Sequence, residues 1–84
     1  MTIDSGRIEA AVAEILLAIG EDPTRAGLAQ TPRRVAEAYA EYFAGVGVDP
    51  AEVLGEPIAG ESGELVLVRD IRFRSMCEHH LLPF

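Results

Sequence analysis

The sequence is short of several features that particular classes of protein need. It contains no lysine, no tryptophan and only one cysteine, and its seven basic residues face fourteen acidic ones, for a net charge of −7. This balance argues against non-specific nucleic-acid binding and against attraction to anionic membranes, since both need a basic surface. A single cysteine cannot form an internal disulfide framework, so we expect a reducing, cytoplasmic compartment.

Long hydrophobic segments are also missing. The longest apolar run, Ile15–Ile19, is far shorter than the roughly 20 residues that a membrane-spanning helix needs. No basic stretch followed by an apolar one opens the chain. We therefore expect neither a membrane span nor a signal peptide.

Charge divides the 84 residues into two regions. Residues 1–62 hold four arginines and eleven acidic residues, whereas residues 63–84 hold three of each, the one cysteine and both histidines. We interpret residues 1–62 as an N-terminal helical region. Residues 63–84 are interpreted as the incomplete start of a sheet domain that carries the chemistry.

A first amphipathic helix is predicted close to the start of the chain. Asp4 or Ser5 can cap it, because a short side-chain oxygen accepts from the free N–H groups of the first turn. Gly20 can end it in the left-handed conformation. The predicted apolar stripe recurs with helical spacing and consists of Ile8, Val12, Ile15 and Ile19.

A second helix is predicted from Thr31-Pro32, read as cap plus first helical residue, to Ala44. A short helical turn capped by Asp22 is predicted before it. The glycine-rich stretch that follows it is predicted to form turns, with one helical turn at Pro50–Leu54.

The residue pattern changes after residue 63. Leu65–Val68 is apolar and partly β-branched, and Ile71–Arg74 alternates apolar and polar side chains, which predicts a strand at Leu65–Ser75, bent at Arg69-Asp70. A strand needs neighbours, and the chain offers little more sheet before its apolar ending, Leu81–Phe84. We read it as an α+β chain and as the N-terminal piece of a longer protein.

The residues best suited to chemistry lie together in Ser75–His80. Cys77 and His80 have a spacing that lets both side chains reach one metal across a turn, and thiolate and imidazole favour zinc. In extended structure His79 would face away from His80 and stay available for proton transfer near neutral pH. The alternative is a buried cysteine beside two surface histidines.

Two other groups of residues admit a functional and a structural interpretation. Arg33-Arg34 opens a helix, where an anion could bind, but an arginine pair on a solvated face is the simpler interpretation. Tyr39, Tyr42 and Phe43 have helical spacing that is typical of core residues rather than of a stacking platform.

Two segments, Thr31–Ala36 and Val68–Phe84, resemble motifs of the GTP cyclohydrolase I family. Gly20-Glu21-Asp22-Pro23 and Gly27-Leu28 also fit, so the resemblance extends from about Ile8 to the last residue. It implies a tunnelling fold (T-fold), in which helices precede an antiparallel sheet. It also implies zinc-dependent hydrolysis of GTP to 7,8-dihydroneopterin triphosphate and formate, at the entry to tetrahydrofolate and pterin biosynthesis.

The resemblance assigns roles to four residues of this chain. Cys77 and His80 would be zinc ligands, His79 the catalytic proton donor to the purine ring, and Arg34 a contact to the triphosphate of GTP. The family's third zinc ligand is a downstream cysteine that is absent here, and Glu37 stands where some members have a lysine. The family assembles into rings, typically decamers, whose active sites combine several subunits.

These departures imply that the 84 residues contain part of an active site and are inactive alone. Two other functions stay open at this point. The chain could be an inactive truncated homologue that acts as an interaction module, or a small metal-binding domain that a partner chain completes.

Overall fold

A computed structural model describes residues 3–60 and 63–84, which fall into two compact units, Met1–Val46 and Gly47–Phe84. The helices are α1 (Ser5–Ala18), α2 (Thr31–Tyr42) and α3 (Pro50–Leu54). Within the described ranges, no helix has the length and apolarity needed to cross a membrane. The predicted division between residues 62 and 63 stays a prediction, because residues 61 and 62 lie outside the described ranges.

α1 begins and ends at the signals found in the sequence. The carboxylate of Asp4 accepts a hydrogen bond from the backbone N–H three residues later (3.1 Å), which confirms the predicted cap. At the other end Gly20 has a φ of 89°, and the N–H of Glu21 donates to the carbonyl of Leu16 (2.9 Å). This bond and the left-handed glycine form a Schellman ending, which satisfies carbonyls that the helix leaves unpaired.

The segment between α1 and α2 consists of turns, and Asp22 caps the first of them as predicted. Asp22 accepts from both the N–H (2.9 Å) and the hydroxyl (2.6 Å) of Thr24, and these hydrogen bonds lower the pKa of its carboxyl group. Glu21 lies 3.1 Å from the guanidinium of Arg25, whose hydrogen bond and charge lower the pKa of Glu21. All four groups are surface side chains, so they shape the turn and add little stability.

α2 begins and ends differently from the prediction. Thr31 is its first helical residue, and Gln30 occupies the cap position without a side-chain hydrogen bond, so the predicted Thr31 cap is wrong. The reason is local, because the carbonyl of Gln30 already accepts the first helical hydrogen bond, from the N–H of Arg34 (3.0 Å). The helix ends at Tyr42, short of the predicted Ala44.

The core of the first unit is small and lies where α1 packs on α2. Leu16 is 8% exposed and Ala36 is fully buried, and Leu16 does not belong to the predicted apolar stripe of α1. Ile15 and Ile19, predicted to face the core, are 58% and 68% exposed. The stripe interpretation is therefore wrong in its second half, since α1 uses Leu16 there for its contact with α2.

Enlarging Ala36 is expected to destabilise the first unit, because its fully buried side chain leaves no room where two helices meet. We expect Ala36→Leu to lower the free energy of unfolding by about 1–3 kcal/mol, measured by thermal and urea denaturation followed by helical circular dichroism. Ala40→Leu, at an exposed position one turn further along α2, is the matched control. Equal stability of the two variants would contradict the packing described.

The second unit begins with α3, which confirms the single helical turn predicted at Pro50–Leu54. The carboxylate of Asp49 accepts from the N–H of Ala51 (3.0 Å) and caps it. Beyond α3 the described part of the chain contains no strand, so the predicted strand Leu65–Ser75 is not confirmed and the described fold is mostly helical. The predicted bend is present, since Asp70 has a φ of 59°.

The apolar residues of Leu65–Ser75 lie largely in solvent. Leu65 is 94% exposed and Phe73 is 83% exposed. A strand forms only when a neighbouring segment pairs with its backbone, and residues 65–73 form no backbone pair within the described part of the second unit. The local pattern therefore suits a sheet whose other strands the described residues do not supply.

This exposure predicts that, in the isolated chain, the amide hydrogens of residues 65–73 exchange rapidly with solvent or are protected by self-association through this segment. We expect amide hydrogen exchange there to be fast in the monomer and slower as concentration rises, whereas α1 and α2 stay protected at all concentrations. Leu67→Glu should suppress the association, and Val53→Glu, at another exposed apolar position, serves as its control. Strong protection of this segment in a proven monomer would contradict the description.

Candidate functional site

The last ten residues form a short antiparallel hairpin. Ser75 and Phe84 exchange two backbone hydrogen bonds, each 2.9 Å long, and the N–H of Cys77 donates to the carbonyl of Leu82 (2.9 Å). Met76 forms an antiparallel bridge with Pro83. Because the pairing encloses residues 78–81 from both sides, it holds the loop that carries both histidines.

The hairpin loop brings Cys77 and His80 together. Residues 78–80 form a turn, and the N–H of Leu81 donates to the carbonyl of Cys77 (2.9 Å), as in one turn of an α-helix. Side chains three apart are neighbours on such a turn. Accordingly, Cys77 Sγ lies 3.7 Å from His80 Nδ1.

This separation fits two ligands of one zinc ion. Zinc–sulfur and zinc–nitrogen bonds of tetrahedral geometry place the two donor atoms about 3.6 Å apart, close to the 3.7 Å observed. Cys77 is half-buried, while His80 is exposed. Among the described residues no cluster of three histidine, cysteine or carboxylate side chains could hold a metal.

His79 does not join this pair. Its side chain is exposed, and its ring centroid lies 6.1 Å from that of His80, with the two planes tilted by 50°. Alternation along an extended backbone is not what separates the two imidazoles, because residues 78–80 form a turn. The separation follows instead from the turn, on which His80, three residues after Cys77, is the neighbour of the thiol.

Arg34 lies in the first unit, on the first turn of α2, and its side chain is exposed. Its own N–H donates to the carbonyl of Gln30 (3.0 Å) and that of Thr31 donates to Leu28, while Pro32 has no N–H. Few backbone donors therefore remain at this helix start. What Arg34 offers an anion is its guanidinium rather than the end of the helix, and the exposed carboxylate of Glu37 follows on the same helix.

The aromatic residues at the end of α2 pack against one another, as expected for residues with a structural role. Tyr39 packs edge-on against Phe43, with ring centroids 5.3 Å apart, and lies 6.3 Å from Tyr42. All three are half-buried in the first unit. This unit also contains an open apolar groove that the sequence pattern does not predict. The groove is lined by Ile3, Asp4, Arg7, Ile8, Ala11, Phe43 and Val46.

Comparison with known proteins gives the family. Residues 8–84 match the family model described as GTP cyclohydrolase I.

The chain belongs to the GTP cyclohydrolase I family.

Curated relatives from this family agree with the match. The chain is 65% identical over 83 residues to GTP cyclohydrolase 1 of Leifsonia xyli subsp. xyli, covering 96% of this chain and 44% of the relative. It is 63% identical over 81 residues to that of Corynebacterium aurimucosum (96% and 41%). For the protein of Rhodopirellula baltica the identity is 61% over 82 residues (98% and 36%). The chain thus spans less than half the length of these relatives.

Family membership confirms the resemblance carried by the segments Thr31–Ala36 and Val68–Phe84. The chain is therefore related to hydrolases whose name gives GTP as substrate. The roles of Cys77, His79, His80 and Arg34 stay predictions.

Proposed function

We propose that this chain supplies part of the active site of a zinc-dependent GTP cyclohydrolase I. The enzyme would hydrolyse GTP to 7,8-dihydroneopterin triphosphate and formate, the first step of tetrahydrofolate and pterin biosynthesis. The observation that supports this best is the Cys77–His80 pair, 3.7 Å apart on a closed hairpin loop, in a chain whose residues 8–84 match the family.

In this proposal Cys77 and His80 hold a Zn2+ ion together with a cysteine outside these 84 residues. When bound, the ion would supply Lewis acidity toward the water that attacks C8 of the purine. The chain's own contribution is to fix two donors in space, since the hairpin bonds on either side of the loop leave Cys77 little freedom.

His79 is proposed as the proton donor. Opening the imidazole ring of GTP places negative charge on a ring nitrogen, and an imidazolium within hydrogen-bond reach can neutralise it. His79 suits this task because it lies on the same loop as Cys77 and His80 but outside their pair. Its exposed ring is open to a substrate.

Arg34 is proposed as a triphosphate contact. An exposed guanidinium can bind a phosphate through two parallel hydrogen bonds, and Arg33 beside it adds positive charge to the start of α2. Glu37 opposes this attraction by placing a carboxylate on the following turn. We therefore expect Arg34 to need further basic residues from outside this chain to bind GTP.

Assembly into a homo-oligomeric ring, a decamer in the family pattern, belongs to the same proposal. It is supported by the apolar side chains within residues 65–73, which lie exposed and which further strands and subunits would cover. With a net charge of −7 and no membrane-crossing helix among the residues described, we propose a cytoplasmic enzyme with no nucleic-acid or membrane partner.

A chimera tests the proposed function. The matched segment of the Leifsonia xyli relative, 65% identical, is replaced by this chain, and formate release from GTP is measured with and without zinc. We expect zinc-dependent turnover that Cys77→Ser abolishes together with the bound metal, while Leu82→Val in the same hairpin leaves both intact. A chimera that folds, assembles and binds zinc but releases no formate would contradict the proposal.

The exposed apolar segment also favours a second candidate, an inactive interaction module. In that case the 84 residues would dock onto an intact relative without contributing to chemistry. Mixing this chain with the intact Leifsonia xyli protein separates the two: stable co-elution, together with an inactive chimera, would favour the module.

A further inference from the structure

Leu81 has a backbone conformation that leucine rarely adopts. Its φ is 53°, and among the described residues the only other non-glycine residue with a positive φ is Asp70. For residues with a Cβ atom, the left-handed region brings that atom close to the following carbonyl oxygen. Such outliers persist only where the surrounding structure imposes them, and they cluster at functional sites.

The position of Leu81 explains why the hairpin needs this conformation. Its N–H closes the turn by donating to the carbonyl of Cys77, and the next residue, Leu82, already accepts from the N–H of Cys77. The chain must therefore reverse within one residue, from a helical turn to an extended segment that pairs back on Cys77. A left-handed residue makes that reversal, as Gly20 does with a φ of 89° after α1.

The turn that this reversal closes places the two proposed metal donors together. In a continuous strand, residues three apart lie roughly 10 Å apart and on opposite faces. On the turn that Leu81 closes, Cys77 Sγ and His80 Nδ1 are separated by 3.7 Å.

We propose that Leu81 is a positioning residue, whose left-handed backbone holds Cys77 Sγ beside His80 Nδ1. The inference rests on the proposed function, in which these two atoms are zinc ligands. It assigns the role to the backbone of Leu81 rather than to its side chain, which is 52% exposed.

The single cysteine of the chain provides a sharp experiment. Because Cys77 is followed by seven residues, residues 1–76 can be joined by ligation at its thiol to a synthetic peptide of residues 77–84. The peptide carries Leu81, its D-enantiomer, or Leu81→Val. The D-enantiomer keeps the side chain but favours a positive φ, whereas β-branched valine disfavours it. Leu82→Val is the matched control, since Leu82 is similarly exposed and has no positive φ.

Two measurements are made on the complete 84-residue chains. The affinity for Co2+ alone is followed through the cobalt–thiolate absorption band, and the contact between the Cys77 and His80 side chains is followed by nuclear Overhauser effects without metal. We expect Leu81→Val to bind Co2+ about tenfold more weakly and to lose the contact. The D-enantiomer should bind at least as tightly as the parent and keep the contact, and Leu82→Val should match the parent.

Equal Co2+ affinity and an equal Cys77–His80 contact in all four chains would overturn the role of Leu81. So would a loss of the contact in the D-enantiomer, because that would assign the effect to something other than the sign of φ. A parent chain whose Co2+ band does not depend on Cys77 would instead count against the proposed zinc site. In that case the metal-free contact still decides whether Leu81 positions the two side chains.

Discussion

In the chimera with the Leifsonia xyli relative, His79→Ala is expected to lower the rate of GTP ring opening by about 10²–10⁴-fold while zinc stays bound. We expect this because Cys77 and His80 are the proposed metal ligands of the loop, whereas the imidazole of His79 is separate from them. Cys77 Sγ and His80 Nδ1 lie 3.7 Å apart, and His79 stands outside that pair with its ring exposed. Formate release from GTP and the zinc content of the purified protein measure the two effects independently.

His80→Ala is the contrasting variant. Because its imidazole is the proposed ligand, we expect it to lose the metal and the activity together, whereas His79→Ala loses only activity. Glu78→Gln, a conservative change on the same exposed turn, controls for disturbance of the loop. Should His79→Ala empty the zinc site and His80→Ala leave it filled, the roles of the two neighbours would be reversed.

The helices were predictable because their signals are local. Asp4 caps α1 and Gly20 ends it, since a short side-chain acceptor and a residue without a Cβ act within one turn of the helix. The start of α2 was predicted one residue late because the first helical bond runs from the N–H of Arg34 to the carbonyl of Gln30, and glutamine is not a typical cap residue. Which face of α1 is buried was also not predictable, since that depends on where the fully buried Ala36 allows α2 to approach.

The strand shows where a local pattern stops being informative. Alternation and β-branching in Leu65–Ser75 measure how well these side chains would suit a sheet, but a strand is defined by the segments that pair with it. Residues 65–73 have no such pair within the described part of the second unit. The same pattern therefore occurs in a chain that supplies the remaining strands and in one that does not, so it cannot show whether a strand forms.

In the candidate site, the proximity of Cys77 and His80 was predictable from the sequence, whereas the backbone conformation beside them was not. The spacing of Cys77 and His80 predicted that both reach one point across a turn, and the structure brings them together. The left-handed conformation of Leu81 could not be predicted, because leucine at that position signals nothing and glycine or asparagine is the usual marker of a positive φ.

Zinc affinity is expected to differ greatly between the isolated chain and the chimera. A complete structural zinc site contributes on the order of 10 kcal/mol or more of binding free energy. Two ligands and an open coordination sphere supply much less, and among the described residues no third side chain completes the cluster. Since each 1.4 kcal/mol is about a tenfold change in affinity, we expect the isolated chain to bind zinc at least about 10³-fold more weakly than the chimera.

Titration against competing chelators of graded affinity measures both proteins on one scale. In the isolated chain, Cys77→Ser should remove what binding there is, because the thiolate is the stronger of the two ligands for zinc. Size-exclusion chromatography at each zinc concentration is needed, since two chains could combine their Cys77–His80 pairs around one ion and mimic a complete site. Nanomolar binding by a proven monomer would contradict the argument, because a chain that lacks a third ligand could not hold zinc that tightly.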